Sequence, residues 1–94
     1  MQIIAYQNLE SQAELPEADA IVMDETAYQK IGNVPCRANL VVSENPNYEA
    51  PGCHVIERMG GAVRFAISAG VEIMVVIGTS LYGTAIHVYD AEMR

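Results

Sequence analysis

The chain has 94 residues, 51% of them hydrophobic, with twelve acidic side chains against five basic ones and a net charge of −7. That length allows one domain, spanning residues 1–94, which buries only roughly 60–65% of the surface its unfolded chain exposes. With no basic stripe to release counterions, the chain is expected to bind neither nucleic acid nor anionic membrane, while its acidity favours solubility and suits a basic partner surface.

Residues 2–6 (Gln-Ile-Ile-Ala-Tyr) form a short apolar run with β-branched members and predict a strand. Residues 7–19 are polar and acidic, contain Pro16, and predict a loop with at most one helical turn. Residues 20–23 (Ala-Ile-Val-Met) predict a second, buried strand. Asp24 and Glu25 then open a helix running to about Ile31, because carboxylates suit the positive end of a helix dipole and Gly32 is a favoured stop. Pro35 and Cys36 fall in a connection, and residues 39–43 (Asn-Leu-Val-Val-Ser) predict a third strand. Glu44-Asn45-Pro46-Asn47 and Pro51-Gly52 are turn sequences, with residues 53–56 a short strand after them.

The plainest helix signal follows. Met59, Ala62, Val63, Ala66 and Ile67 are spaced i, i+3, i+4, i+7 and i+8 on one apolar face, and Gly70 marks the end. Gly60 and Gly61 in its first turn are unusual, since each costs about 1 kcal/mol against Ala in a helix interior. Residues 72–77 (Glu-Ile-Met-Val-Val-Ile) are the most apolar strand and belong at the centre of a sheet. Gly78-Thr79-Ser80 turns into a short helix holding Leu81 and Tyr82, and the alternation Ile-His-Val-Tyr at 86–89 predicts a final strand. Strands alternating with helices make the class α/β, with a mostly parallel sheet flanked by short helices. The apolar surplus fits either an apolar-rich monomer or a homo-oligomer that covers it.

The apolar runs are too short to span a membrane, and the N-terminus lacks a basic segment followed by an apolar run, so a cytoplasmic protein is expected. Cys36 and Cys53 fit no metal spacing, and with His54 and His87 the only histidines no zinc site is expected. A disulfide between the cysteines stays open beside the alternative of reduced, partly buried thiols.

In a parallel sheet, ligands bind outside the carboxyl ends of the strands. The candidates there are Asp24, Glu25 and Thr26 after the second strand, Ser43 and Glu44 after the third, and Gly78, Thr79 and Ser80 after the central one. The last group can offer helix N-terminal N–H groups to an anion. It lacks the lysine of a phosphate-binding loop and equally fits a tight turn with a hydroxyl cap. Arg37 suits a ligand carboxylate through its forked guanidinium, or a surface salt bridge. No serine sits in a nucleophile-elbow pattern, and His87 reads as an outward-facing strand residue.

Taken together, residues 21–89 resemble the middle of dihydrofolate reductase. Ile21-Val22-Met23 with Thr26, Tyr28 and Ile31-Gly32 resembles that family's Met-Gly-Arg-x-Thr-Trp-x-x-Ile-Gly block. Pro35-Cys36-Arg37-Ala38-Asn39 followed by Leu-Val-Val-Ser resembles its Pro-Gly-Arg-x-Asn block and the next strand, and Asn45-Pro46 through Pro51-Gly52 the loop after it. Glu72 through Gly78 with Tyr82 resembles its Val-Ile-Gly-Gly segment and following Tyr. The resemblance implies a reduced core of that fold in which Arg37 matches the arginine for the folate carboxylate.

The departures from the pattern imply a truncated, degenerate member. Only about a dozen residues join the first two strands, where the family carries an active-site loop, a helix and the acid that assists proton delivery; Glu14 and Asp19 are the replacements on offer. The family's C-terminal strands are expected to be missing. Asp24, Glu25 and Ala27 stand for its Gly, Arg and phosphate-binding Thr, and Glu44 follows Ser43, so a polyanionic cofactor would meet repulsion. Thr79 replaces the second glycine of the pair that lets backbone approach the cofactor.

The expected function is therefore a non-catalytic, dihydrofolate-reductase-like protein with no cofactor, acting on a protein target through an open sheet edge and as an oligomer. A compact protein of this kind would suit a viral or mobile-element genome. A small-ligand binder for a nucleotide or pterin, using Thr26, Ser43, Gly78, Thr79, Ser80 and Arg37, is the alternative. A minimal reductase that uses NADPH and is completed by a second subunit is the third.

Overall fold

The computed structural model describes residues 1–6, 15, 17–34, 36 and 38–93, with backbone alone at 79, 80 and 82. In chain order the elements are β1 (Gln2–Tyr6), β2 (Ala20–Asp24), α1 (Glu25–Ile31), β3 (Ala38–Val42), β4 (His54–Ile56), α2 (Met59–Ser68), β5 (Ile73–Ile77) and α3 (Thr79–Glu92). Most of the predicted 7–19 loop, together with Pro35 and Arg37, lies outside the described residues.

The five strands form one sheet in the order β1-β5-β2-β3-β4, and every pairing is parallel. β5 is an interior strand, second from the edge between β1 and β2, with Val75 level with Ile4 on one side and Ile21 on the other; the centre of the five is β2, so the most apolar strand is interior without being central. Four of its five residues are buried, which is what a strand covered on both faces requires.

The pleat divides the side chains into two clusters. Ala20, Val22, Ala38, Leu40, Met74 and Val76 face α2 and α3, against Met59, Ala62, Val63, Ala66 and Ala85. Ile21, Met23, Val75 and Ile77 face the other way, onto Ala27 and Ile31 of α1. α1 and α3 thus leave the neighbouring strands β2 and β5 towards opposite faces of the sheet. In such a fold the expected ligand position is the crevice outside the carboxyl ends of the strands from which the helices diverge, here β2 and β5.

The opposite end of the sheet is fastened by Asp19. Its Oδ2 accepts the backbone N–H groups of Glu72 and Ile73 at 2.9 and 3.0 Å, and its own N–H donates to the Ile73 carbonyl at 3.0 Å. This overturns Asp19 as a replacement proton donor: its carboxylate closes the start of β5, a strand length away from the crevice. Glu14 lies outside the described residues.

The sequence-based expectation of a final strand at 86–89 is also corrected. These residues belong to α3, which runs on without a break through Gly83. Buried Ala85 and half-buried Leu81 and Val88 recur at i+4 and i+7 from residue 81, and all pack on the α2 side of the core. The four-residue alternation is part of that helical stripe, cut too short to show its period. His87 is exposed on the helix rather than on a strand. No helix among the described residues is long and apolar enough to cross a membrane.

The two glycines of the α2 first turn have different reasons. A Cβ at Gly61 would lie 2.9 Å from Ile56 Cγ2, so this glycine lets the helix start pack closely on β4. A Cβ at Gly60 would meet only the Arg64 guanidinium, at 3.4 Å and beyond. Gly60→Ala is therefore expected to stabilise the protein by up to about 1 kcal/mol through helix propensity. Gly61→Ala is expected to lose about 1 kcal/mol, because overpacking at a β-branched neighbour outweighs the same gain. Urea midpoints of the two variants, measured side by side, check the contrast.

Candidate functional site

The crevice is built at the ends of β2, β3 and β5. β2 ends on Asp24, which turns the chain into α1 with an extended backbone (φ −83°, ψ 176°), and its Oδ1 accepts the Ala27 N–H at 2.7 Å. The cap supplies an acceptor for one of the free N–H groups of the first turn and sets a negative charge at the positive end of the helix. Gly78, at the end of β5, lies directly beside it: a Cβ there would come within 2.9 Å of Asp24 Oδ2. Gly78 also has φ +130°, donates its N–H to the Tyr6 carbonyl at 3.1 Å and starts α3 with no side chain to cap it. A non-glycine residue would be strained there in backbone and blocked by the carboxylate.

A second carboxylate is anchored next to the first. Ser43 is buried after β3, where its Oγ donates to Glu25 Oε1 at 2.9 Å and accepts the Asn45 N–H at 3.2 Å. Glu25, at the start of α1, is thereby tied across to the end of β3.

Two hollows adjoin this edge. One, of about 330 Å³, is lined by Ser43, Glu44, Asn45, Pro46, Tyr48, Val55 and Glu57. The other is a wider groove of about 660 Å³ on the α2–α3 side, where Val42, Met59, Leu81 and Val88 supply apolar surface. Glu44 and Glu57 border both hollows; Arg58 and Arg64 reach only the groove, and Arg64 also pairs with Glu92 at 3.3 Å. Among the described residues no group of three or more His, Cys, Asp or Glu could hold a metal ion.

The predicted site residues are thus partly assembled. Gly78 and Ser43 stand at the same sheet edge, joined to Asp24 and Glu25. Thr26 is exposed in the first turn of α1. Thr79 and Ser80 open α3, so a helix does start at these residues as expected, but it is 14 residues long rather than short. Arg37 lies outside the described residues.

Asn39 is a residue whose part the sequence did not reveal. Its amide accepts the Val34 N–H at 3.0 Å and donates to the Val34 carbonyl at 2.9 Å, which ties the connection after α1 to β3. Its signal was available, since an Asn is an unusual residue inside an otherwise apolar strand.

Both cysteines are free and half-buried. Burial pushes the Cys36 thiol up, against opposing backbone hydrogen bonds at Ala38 and Ile21. Burial likewise raises the Cys53 thiol, with the nearby Cys36 adding to it and a hydrogen bond with Tyr28 opposing. Tyr28 is raised as well, by its own desolvation first and then by Cys53.

A family model described as dihydrofolate reductase matches residues 7–93. Dihydrofolate reductase type A13 of Escherichia coli is 30% identical over 73 residues, covering 77% of this chain and 44% of the relative. The chain therefore spans less than half the length of that curated relative.

Asp24→Ala is expected to cost about 1 kcal/mol by removing the α1 cap. Asp24→Asn keeps an acceptor oxygen and loses only the charge–dipole attraction, about 0.5 kcal/mol. Urea denaturation of both variants against the parent measures the difference.

Proposed function

Since the chain belongs to the dihydrofolate reductase family, we propose that it keeps the family's core as a non-catalytic scaffold and acts by binding another protein. The single observation that carries this is the pair of anchored carboxylates at the crevice. Asp24 is locked in place as a helix cap and borders Gly78, while Glu25 is fixed on Ser43. A ligand with several phosphates would have to lie against both. At an effective dielectric of 20, each pair of like charges 4 Å apart costs about 4 kcal/mol, so the repulsion outweighs a helix dipole contribution of about 0.3–1 kcal/mol. Asp19, the acid nearest to hand in the sequence, is engaged at the other end of the sheet.

The outer edge of β1, which pairs with no other strand among the described residues, supports the binding half of the proposal. Gln2 and Tyr6 direct their backbone groups to β5, as their bonds with Glu72 and Gly78 record. Ile3 and Ala5 alternate with them and turn their N–H and C=O groups outward. An unpaired edge of this kind accepts a strand from a second chain, and a second copy of the same chain is the partner we assign to it, making a homo-oligomer. Ala5→Pro removes an outward N–H without touching the ladder to β5. The parent chain is expected to run as a dimer in size-exclusion chromatography with light scattering, and the Ala5→Pro chain as a monomer with unchanged circular dichroism. A parent chain that is monomeric at all concentrations defeats the edge-pairing reading.

The wider groove favours a second reading, a binder of an uncharged nucleoside or a pterin. Its apolar lining with mixed Glu and Arg rims suits a flat ring better than a polyphosphate. The third, an NADPH-dependent reductase completed by a second subunit, requires both a new acid and a new phosphate site.

Thermal melts with NADPH, adenosine, dihydrofolate and methotrexate separate the three. A ligand present at about 100 times its Kd adds about 2.7 kcal/mol, several degrees in a domain of this size. No shift is expected with NADPH, and no oxidation of NADPH with dihydrofolate in a coupled absorbance assay. Turnover in that assay would establish the reductase and overturn the scaffold.

A further inference from the structure

We propose that two copies join β1 to β1 antiparallel about a twofold axis at Ile4, which sets their crevices at opposite ends of one continuous sheet, so that neither copy supplies a residue to the other's site. The proposal rests on the edge-pairing reading and adds its direction, its register and its consequence for the crevice.

The direction follows from the backbone. Gln2 donates its N–H to the Glu72 carbonyl at 2.7 Å and the Tyr6 carbonyl accepts the Gly78 N–H at 3.1 Å, so residues 2, 4 and 6 serve β5 while Ile3 and Ala5 face outward. In a parallel ladder a residue bonds to the two that flank its opposite number, so an outward residue has to face an inward one. Two identical edges therefore meet symmetrically only when antiparallel, where outward residues pair with each other. Such a contact closes on itself, whereas β1 set against β4 of the next copy would propagate as a fibre. β4 also offers less. It has three residues, and the bond from the Ser43 N–H to the Ile56 carbonyl at 2.9 Å turns Ile56, and His54 with it, towards β3, leaving Val55 to face outward.

The register follows from the side chains. An axis at Ile4 pairs all 5 residues of β1, while an axis at Ile3 or Ala5 leaves part of the strand unpaired. On the α2–α3 face it sets Ile3 against the partner's Ala5, large against small; on the α1 face Ile4 meets the partner's Ile4, and Tyr6 meets the partner's Gln2. Ile3, Ile4 and Tyr6, only half-buried in one copy, are covered further by this arrangement. In a chain of net charge −7, β1 carries no charged side chain, so no carboxylate of one strand lies opposite one of the other. Gln2–Tyr6 also has neither the lysine nor the proline that commonly blunts an exposed edge. The strand is held ready by its own chain, since the Met1 ammonium donates to the Tyr89 hydroxyl on α3 at 3.0 Å.

The consequence follows from the all-parallel sheet. Antiparallel joining places the carboxyl ends of one copy's strands beside the amino ends of the other's. Asp24, Ser43 and Gly78 of one copy then stand at the end of the double sheet where its partner presents Asp19. Each crevice is built from a single chain, and this contact gives a reductase site nothing it lacks.

The test uses the unmodified chain. Size-exclusion chromatography with light scattering first establishes a dimer. An isotope-filtered NOE spectrum of an equal mixture of labelled and unlabelled chains then reads the register. Inter-chain Hα–Hα contacts are expected from Ile4 to Ile4 and from Gln2 to Tyr6, the pairs with the closest Cα atoms in an antiparallel ladder. With Cys36→Ser and Cys53→Ser in place, Ile4→Cys is expected to form a covalent dimer under mild oxidation and Ile3→Cys to stay monomeric on a denaturing gel, because only the former pair lies within disulfide reach. A dimer whose contacts join other residues of β1 overturns this register and leaves edge pairing standing. A dimer with no contact at β1, or a monomeric parent chain, overturns both. The NOE spectrum needs no variant, so a cysteine variant that fails to fold leaves the outcome decisive.

Discussion

The parallel pairing of β5 with both β1 and β2 is the constraint on which the molecule depends. A strand buried on both faces and paired on both edges has no water to satisfy its backbone, so every N–H and C=O must find a ladder partner. Only an almost wholly apolar segment can occupy such a place, and Ile73–Ile77 has that composition. Each fully buried aliphatic side chain contributes about 1.5–3 kcal/mol, against about 1–2 kcal/mol lost in ordering its backbone. The balance for one strand is small, so β5 holds only as part of the sheet, and Asp19 at its entry fixes where the pairing begins.

From β5 and β2 the chain leaves to opposite faces, and the crevice between them follows from the topology alone. What fills the crevice follows from two side chains. In a sheet of this kind the free N–H groups at a strand-to-helix turn attract anions from solution. Here the Asp24 carboxylate already serves that purpose for α1, and Glu25 is drawn sideways to Ser43. Both carboxylates contribute to stability at the same place where they discourage a phosphate. On the proposed reading, the cap holds the position at which an anion would otherwise meet the helix N-terminus.

Much of the fold was legible because its strands are short, apolar and bounded by turn residues. β2, β3, β5 and α2 lie within a residue or two of the sequence reading, and the Gly32 and Gly70 stops both have positive φ. The 86–89 segment misled because four residues fit either period, and only the stripe from Leu81 to Val88 distinguishes them. Parallel register was not legible at all: that β5 inserts between β1 and β2 depends on contacts far apart in sequence. For the same reason Asp19 looked like a candidate acid, although β5 rather than a ligand receives it.

The candidate site was legible as a set of strand ends, but its electrostatics needed distances. The sequence placed Glu25 and Ser43 on different elements, and the hydrogen bond between them makes one unit of two residues that seemed separate. The same holds for the cysteines. Their spacing in sequence says nothing, yet Asn33 reaches the Cys53 thiol and the Pro51 carbonyl together and draws two connections into contact. In both places a single short side chain converts proximity in the fold into a defined chemical environment. The family's core supplies the strand ends; these few polar side chains set the chemical environment there.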